Sequence, residues 1–549
     1  MASRSGAPAN WLGAEYCRGV SAQSQIGGEV RAAELVAALC LATDLGMGFP
    51  FEHGLHTTLI GMRLAERLGV DRATAVQTYY ACLLAHAGCT TDAHLGDEVF
   101  ASSLTTHLNP VMYGSRRQVL GGLMRALAPE ESGGPRRAVE VVRRFPRMAR
   151  GTRPHLSAGC EVAQLLGERV GSPGSVPPLL AYLLERWDGH GPLGRAKGDA
   201  IPVPMRIVAV AIDAAFQRLL GDTAHVVRVV RERSGRAFDP AIATCLLDDA
   251  DEVLALDRAG SAWEETLASE PKPVRRLEGE GVDRALAAIG DFADLISPYL
   301  SGHSTGVAEL AAAAARRCRV DEAAVARIRR AGLVHDVGRV AVHPAVWQKP
   351  QPLTADESEQ VRLHPYHTER VLSRSPLLSA LAPIASAHHE RIDGCGYHRG
   401  ASGAELPLPA RLLGTADAYH AMTEPRPHRP PLPAARAAEE LAREASAGRL
   451  DADAVSAVVA AAGQQVPRLE RPAGLTEREV EVLGMLARGL QTKQVAAALA
   501  ISAKTADHHV QHAYRKIGVS SRAAATLFAM EHGLVAWGEL PIARRAVRS

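Results

Sequence analysis

The side chains best suited to chemistry gather in one stretch and in a series of positions downstream of it. Residues 331–339 read A-G-L-V-H-D-V-G-R and set His335 beside Asp336 at the end of an apolar helical run. Further nitrogen and oxygen donors follow at intervals: His364, the dyad His388-His389, and Asp417. His303 precedes them all in G-H-S. Adjacent imidazole and carboxylate ligands suit a hard or borderline metal ion. Seven such donors exceed what one metal needs and suit two. A pair of metals activates water and clamps a phosphate. An aspartate such as Asp336 takes the bridging place, with histidines on the outer positions. Consecutive residues of a regular helix cannot face one point, so His388 and His389 belong at a helix end or bend. Asp417 falls in a helix over 409–422 whose apolar side carries Leu412, Leu413 and Ala416.

The elements that must position these donors are helical. Hydrophobic residues make up 47% and charged residues 22%, an ordinary globular balance. Aromatics are scarce at 4%, which favours close-packed helices over sandwiches or barrels. At 549 residues the chain exceeds a single core. A net charge of +2 leaves any nucleic-acid contact to a local basic surface. The 8 cysteines, Cys17, Cys40, Cys82, Cys89, Cys160, Cys245, Cys318 and Cys395, form no C-x-x-C pair, which excludes a zinc ribbon and fits a reducing cytosol. There is no apolar leader, and the best apolar run, 207–220, is broken by Asp213 and Arg218, so no membrane span is expected and the chain reads as cytoplasmic.

Two copies of one helical module are visible. E-R-W-D-G-H-G-P at 185–192 matches E-R-I-D-G-C-G-Y at 390–397, and I-P-V-P-M-R at 201–206 matches L-P-L-P-A-R at 406–411; both offsets are 205 residues. E-H-G-L-H-T at 52–57 and L-L-A-H-A-G at 83–88 correspond to the G-H-S and H-D-V-G stretches at a larger offset. His53 and His86 survive in the first copy, but Asp336 becomes Ala87, His388-His389 becomes Leu183-Leu184, and Asp417 becomes Ile212. The first copy keeps the helices and loses the donors. Its His86, Cys89, Asp92 and His94 read as scattered loop side chains. A loose lead-in covers 1–28, the first copy 29–265, a proline- and glycine-bearing linker 266–281, and the second copy 282–466. The second copy includes one alanine-rich helix over 434–462. A second linker spans 467–474, a last unit 475–540, and a basic tail 541–549.

The last unit begins G-L-T-E-R-E, with Thr476 and Glu479 spaced as a capping box. A first helix ends at Gly489, a short one covers 492–499, and a tight turn leads through the N-cap Ser502 to a helix over 503–517 closed by Gly518. That is a helix-turn-helix. Lys504, Asp507, His508, Gln511 and Arg515 share the outward side of its second helix and are of types that reach phosphates and base edges.

Residues 291–429 resemble the HD-GYP group of HD-domain phosphohydrolases. G-H-S at 302–304, H-D-V-G-R at 335–339, K-P at 349–350, H-P at 364–365, H-H-E-R-I-D-G-C-G-Y-H at 388–398 and T-A-D-A at 415–418 fall in that group's order. The resemblance implies metal ligands at His303, His335, Asp336, His364, His388, His389 and Asp417, with two divalent ions, iron or manganese. It implies chemistry centred on His335, Asp336 and Arg339, and hydrolysis of cyclic di-GMP or a related phosphoester. It places Tyr397, Arg426 and Arg429 against the nucleotide. Three departures stand out: G-Y-P appears as Gly396-Tyr397-His398, the usual lysine is Arg339, and Tyr299 stands where members with three metals carry glutamate. The last unit resembles the LuxR-type helix-turn-helix, with L-T-E-R-E, A-R-G, S-x-K-T and R-K-I-G-V in register and Ala506 where valine is usual. That implies a four-helix, dimeric, double-stranded-DNA-binding unit. Asp507, His508 and Gln511 would read bases, while Lys493, Lys504, Thr505 and Lys516 would hold phosphates.

The expected architecture is all-α: two tandem HD-like helical domains followed by a four-helix LuxR-type domain. The expected function is a one-component transcriptional regulator, a homodimer that couples a dinuclear phosphodiesterase to DNA binding. The alternative is a transcription factor whose HD-GYP-like domain senses a metal or nucleotide without turnover.

Overall fold

The computed structural model describes residues 29–89, 107–127, 134–256, 260–464, 472–487, 490–531 and 534. The lead-in 1–28, Asp92, His94, Gly489 and the tail 541–549 lie outside them. The fold is all-α, as expected. Its one sheet among the described residues pairs two short strands, β1 (Val30–Arg31) and β2 (Arg276–Leu277), antiparallel with Val30 opposite Leu277. No helix among the described residues is long and apolar enough to cross a membrane. The contacts divide the chain into two units, one of residues up to 302 with 336–348 and 367–382, the other of 303–335, 349–366 and 383 onward.

In the first unit α1 (Ala32–Met47) is the central helix. One apolar face is legible in its sequence, yet Ala32, Ala33, Leu35, Val36, Ala37, Ala38 and Leu39 are all fully buried. It is buried all round because α2 (His53–Arg67), α3 (Arg72–Leu84) and a 3-10 turn, Val337–Ala341, cover different sides of it. The chain continues through α4 (Arg116–Ala126), α5 (Gly134–Arg169) and α6 (Val203–Leu220), the last packed on α2 and α3. Residues 367–382 join this unit through Ser375 to Glu34 (2.5 Å), Arg374 to Glu52 (2.8 Å) and Arg370 over Phe51 (4.0 Å).

The stretch 266–281, expected as a linker, is folded into the same unit. Helix α7 (Ala262–Ala268) ends in it, β2 lies within it, and α8 (Glu280–Asp294) begins in it. Tyr79 Oη donates to Thr266 O (3.1 Å) and Tyr80 Oη to Glu270 (2.8 Å), while Arg31 pairs with Glu270 (2.7 Å). Prolines and glycines signal a break in helix; they do not show that the neighbouring glutamate and carbonyls have buried partners.

In the second unit α9 (His303–Arg317) lies among α10 (Glu322–Val334), α14 (Leu408–Thr423) and α16 (Ala452–Ala461), with α11 (Ala355–Arg362) and α15 (Ala434–Ser446) in the same unit; most of α12 (His364–Leu372) and α13 (Pro376–Ala385) belongs to the first unit. Its alanines Ala308, Ala311, Ala312, Ala314 and Ala315 are fully buried, which lets the helices approach closely. The alanine-rich stretch 434–462 is two helices, where one was expected. Gly448 turns the chain at φ 76°, and Asp451 caps α16 by accepting from Asp453 N and Ala454 N. The last domain has four helices: α17 (Glu477–Ala487), α18 (Thr492–Ala498), α19 (Ala503–Ile517) and α20 (Arg522–Glu531). Leu475, Leu483, Ala513 and Ala529 form one part of its core, Val482, Leu486, Val495 and Val510 another.

Candidate metal centre

Each donor stands at an element boundary except Asp417. His303 opens α9, His335 follows the end of α10, His364 opens α12, and His388-His389 stands in the turn after α13. Asp417 lies within α14. Gly414, one turn earlier on α14, lets the helix approach the dyad: a Cβ there would sit 2.5 Å from His388 O.

The seven donors fall into two groups, His303, His335, Asp336 and Asp417, and His364, His388 and His389. Within each group one ligand atom per residue lies within 4.8 Å of the others. His303, His335, Asp336 and His388 are 0% exposed. Asp417 links the groups: its Oδ1 is 3.1 Å from His303 Nε2 and 3.8 Å from His335 Nε2, and its Oδ2 is 3.8 Å from His389 Nδ1. The bridging place suggested for Asp336 thus also suits Asp417. Burial alone would raise the Asp417 carboxyl, but the bonds from His303 and His335 and the charge of His389 hold it well below the usual carboxylate range.

These residues fit a metal. His335, His364 and His388 each place Nδ1 on the carbonyl three residues back, at 2.7 Å from Gly332 O, 2.6 Å from Val361 O and 2.6 Å from Ala385 O. A carbonyl only accepts, so Nδ1 carries the proton and Nε2 is the lone-pair donor, the tautomer a metal requires. His364 Nε2 and His388 Nε2 are then 3.1 Å apart. Two lone pairs at that distance repel unless a cation faces both. About 3 Å is also the edge between neighbouring ligands on bonds of roughly 2.1 Å.

The more open edge is at His389, whose ring stacks on Tyr397 (4.7 Å, 30°). Arg362 also lies over the Tyr397 ring, 4.8 Å from its centroid. Arg339 is buried, with Nη2 2.7 Å from Asp336 Oδ2 and its guanidinium over Trp347 at 5.3 Å, so it fixes the Asp336 carboxylate. Arg429, expected against the nucleotide, is engaged by main-chain carbonyls in this structure. Its Nη2 donates to Ala421 O (2.6 Å) and Nη1 to Met422 O (3.0 Å), closing the carboxyl end of α14. Arg426 pairs with Glu424 (3.0 Å). Glu424 and His420 are absent from the sequence-based site. They follow Asp417 at i+7 and i+3, one stripe of α14 and the residue after it, and that spacing was the available signal.

Around His53 and His86, the histidines expected to survive in a first copy, aromatic rings pack closely. Phe49 lies 4.5 Å from His53, 5.3 Å from His86 and 6.0 Å from Phe216. Burial drives the His53 imidazole down to about 3, helped by His86 and His56, and His86 to about 4. Among the described residues, the groups able to hold a metal all fall between His303 and Glu424.

In the last domain Ser502 caps α19 by accepting from Thr505 N (3.0 Å). Ala506, Val510 and Ala513 face inward, while Lys504, Thr505, Asp507, His508, Gln511 and Arg515 are exposed or half-buried, as is Lys493 on α18. Lys516, expected to hold a phosphate, has partners within the domain. Its ammonium is engaged inside the domain by Glu479 (2.7 Å) and Gly474 O (2.9 Å).

Residues 288–454 match the HD domain, and residues 473–529 match the luxR family of bacterial regulatory proteins. The chain is 29% identical over 408 residues to 3′3′-cGAMP-specific phosphodiesterase 3 of Vibrio cholerae, spanning 73% of this chain and 88% of that protein. It is 35% identical over 150 residues to a cyclic di-GMP phosphodiesterase of Thermotoga maritima, spanning 27% and 40%. The crystal structure of a V. cholerae cyclic GMP-AMP specific phosphodiesterase shares the fold with a TM-score of 0.56 at 24% identity, over 80% of this chain and 99% of that one. Fold, donor set and relatives together define an HD-type, metal-dependent phosphohydrolase. In this chain it is joined to a C-terminal LuxR-family domain.

Proposed function

We propose that the chain is a one-component regulator in which a dinuclear HD-GYP-like site opens a 3′,3′-cyclic dinucleotide and the LuxR-type domain binds double-stranded DNA as a homodimer. The boundaries 29–265, 282–466 and 475–540 mark the two HD-like copies and the DNA-binding domain in this reading, and the protein works in the cytoplasm. The carrying observation is the pair of ligand groups with Asp417 between them. Bound there, two divalent ions, iron or manganese, supply Lewis acidity and a water acidic enough to ionise near neutral pH. The chain's own part is orientation. The carbonyls behind His335, His364 and His388 fix the tautomers, and Arg339 fixes Asp336. Tyr397, between His389 and Arg362, stands at the more open edge, where a nucleotide would meet it. The long match to a cGAMP-specific relative makes 3′3′-cGAMP the first substrate to test and cyclic di-GMP the second.

A second reading is a sensor that binds the nucleotide without turnover. It is favoured by Arg426 and Arg429, whose guanidinium groups are engaged by Glu424 and by backbone carbonyls. Promoter-DNA binding by wild type and Asp336→Ala, each with and without cyclic dinucleotide, separates the two. Under the first reading only wild type consumes the nucleotide. If neither consumes it and wild-type DNA binding still responds, the sensor reading stands.

A further inference from the structure

His303 has a carboxylate near each ring nitrogen. Nε2 faces Asp417 Oδ1 at 3.1 Å, and Nδ1 faces Glu424 Oε2 at 2.9 Å. Both carboxylates only accept, so with a metal on Nε2 the ring proton sits on Nδ1 and goes to Glu424; His420 Nδ1 lies 3.3 Å from the same nitrogen. His335, His364 and His388 use a main-chain carbonyl three residues back for this purpose. His303 is the first residue of α9 and follows Gly302, which has φ 80°. Its outer partner comes instead from the end of α14, 121 residues away.

Glu424 is itself held from two further sides. His420 Nδ1 lies 3.2 Å from Oε1, and Arg426 Nη2 donates to Oε2 at 3.0 Å. Gly306, one turn after His303, leaves the space for His420: a Cβ there would fall 1.9 Å from His420 Nε2. His303, His420 and Glu424 are also close enough to hold a cation themselves. The Arg426 guanidinium already brings a positive charge to the same Glu424 oxygen, which favours a positioning network over a third metal.

We infer that Glu424, braced by His420 and Arg426, is a positioning residue that fixes the tautomer and ring orientation of His303 as a metal ligand. This rests on the metal-centre reading above. Glu424 supplies to His303 what backbone carbonyls supply to the other imidazoles. Loss of such an outer partner lowers metal affinity by about 10–100-fold.

The test is manganese retention by the full chain in competition with a chelator, for wild type, His303→Ala, Glu424→Ala and Glu424→Gln. Glu424→Ala should weaken retention of one ion by about 10–100-fold. Glu424→Gln keeps an oxygen acceptor for Nδ1–H and should recover most of the loss, a rescue that generic packing would not produce. Should the alanine variant not fold, wild-type retention in Glu424→Gln, together with loss in Glu424→Leu, supports the positioning role equally. Wild-type retention in Glu424→Ala, with His303→Ala defective, overturns the positioning role alone. Wild-type retention in His303→Ala overturns the metal-centre reading itself.

Discussion

At the scale of single residues, the donors were legible because few other roles demand seven histidines and aspartates in that order. Their outer partners were not. Glu424 and His420 are common residue types, and only their i+7 and i+3 spacing from Asp417 marks them. The carbonyl partners of Arg429 were hidden for a related reason. A guanidinium suits a phosphate and helix-end carbonyls equally, and sequence does not show which lies within reach. The observed bonds to Ala421 O and Met422 O give a clear expectation. Arg429→Ala should cost about 1–2 kcal/mol of stability by frayed packing at the end of α14. Its KM for nucleotide should stay near the wild-type value. A denaturant midpoint measured beside a KM checks this; a large rise in KM with unchanged stability would return Arg429 to the substrate.

At the scale of elements, the repeat, the break before Pro50, the capping box at Thr476 and the bounds of α19 were all readable, because caps and breakers act locally. Burial all round α1, the folding of 266–281 and the division of 434–462 were less so. The first two depend on distant chain, and the third on weighing Gly448 and Asp451 against a strong alanine signal. Gly414 yields an element-level prediction. Gly414→Ala should push the dyad turn off α14, since the Cβ would lie 2.5 Å from His388 O. Metal bound by His364, His388 and His389 should then be lost first, and metal content per chain measures it. In the last domain two lysines should behave differently. Lys504→Ala should weaken binding to all DNA sequences and lower the salt slope by about one. Lys516→Ala should lower the domain's melting temperature, because the buried Glu479 loses its cationic partner. Equal effects of the two on the salt slope would sink the distinction.

At the scale of the whole molecule, we read two copies of one module that have taken different courses. The second keeps a polar, donor-filled interior, and the first has closed the matching space with Phe49, Phe216 and two neutral histidines. Sequence showed which donors were lost; it did not show that rings fill the gap, since Phe49 and Phe216 are far apart in the chain. The closure has a pH signature. His53 titrates at about 3 when folded, against about 6.5 unfolded, so the unfolded chain binds more protons between those values. Stability from this group is full above about pH 6.5 and is lost progressively as pH falls from there toward the folded value. The cost is about 2 kcal/mol at roughly pH 5. His53→Leu should flatten the melting profile between about pH 5 and 7, and an unchanged slope would refute the assignment. The fusion as a whole stands on turnover by the second copy. The most direct measurement is to load the full chain with iron under reducing conditions, then with manganese, and incubate it with 3′3′-cGAMP and cyclic di-GMP. Wild type should release linear dinucleotide and His335→Ala none. Intact nucleotide from wild type with two metals bound would rule out a hydrolytic second copy.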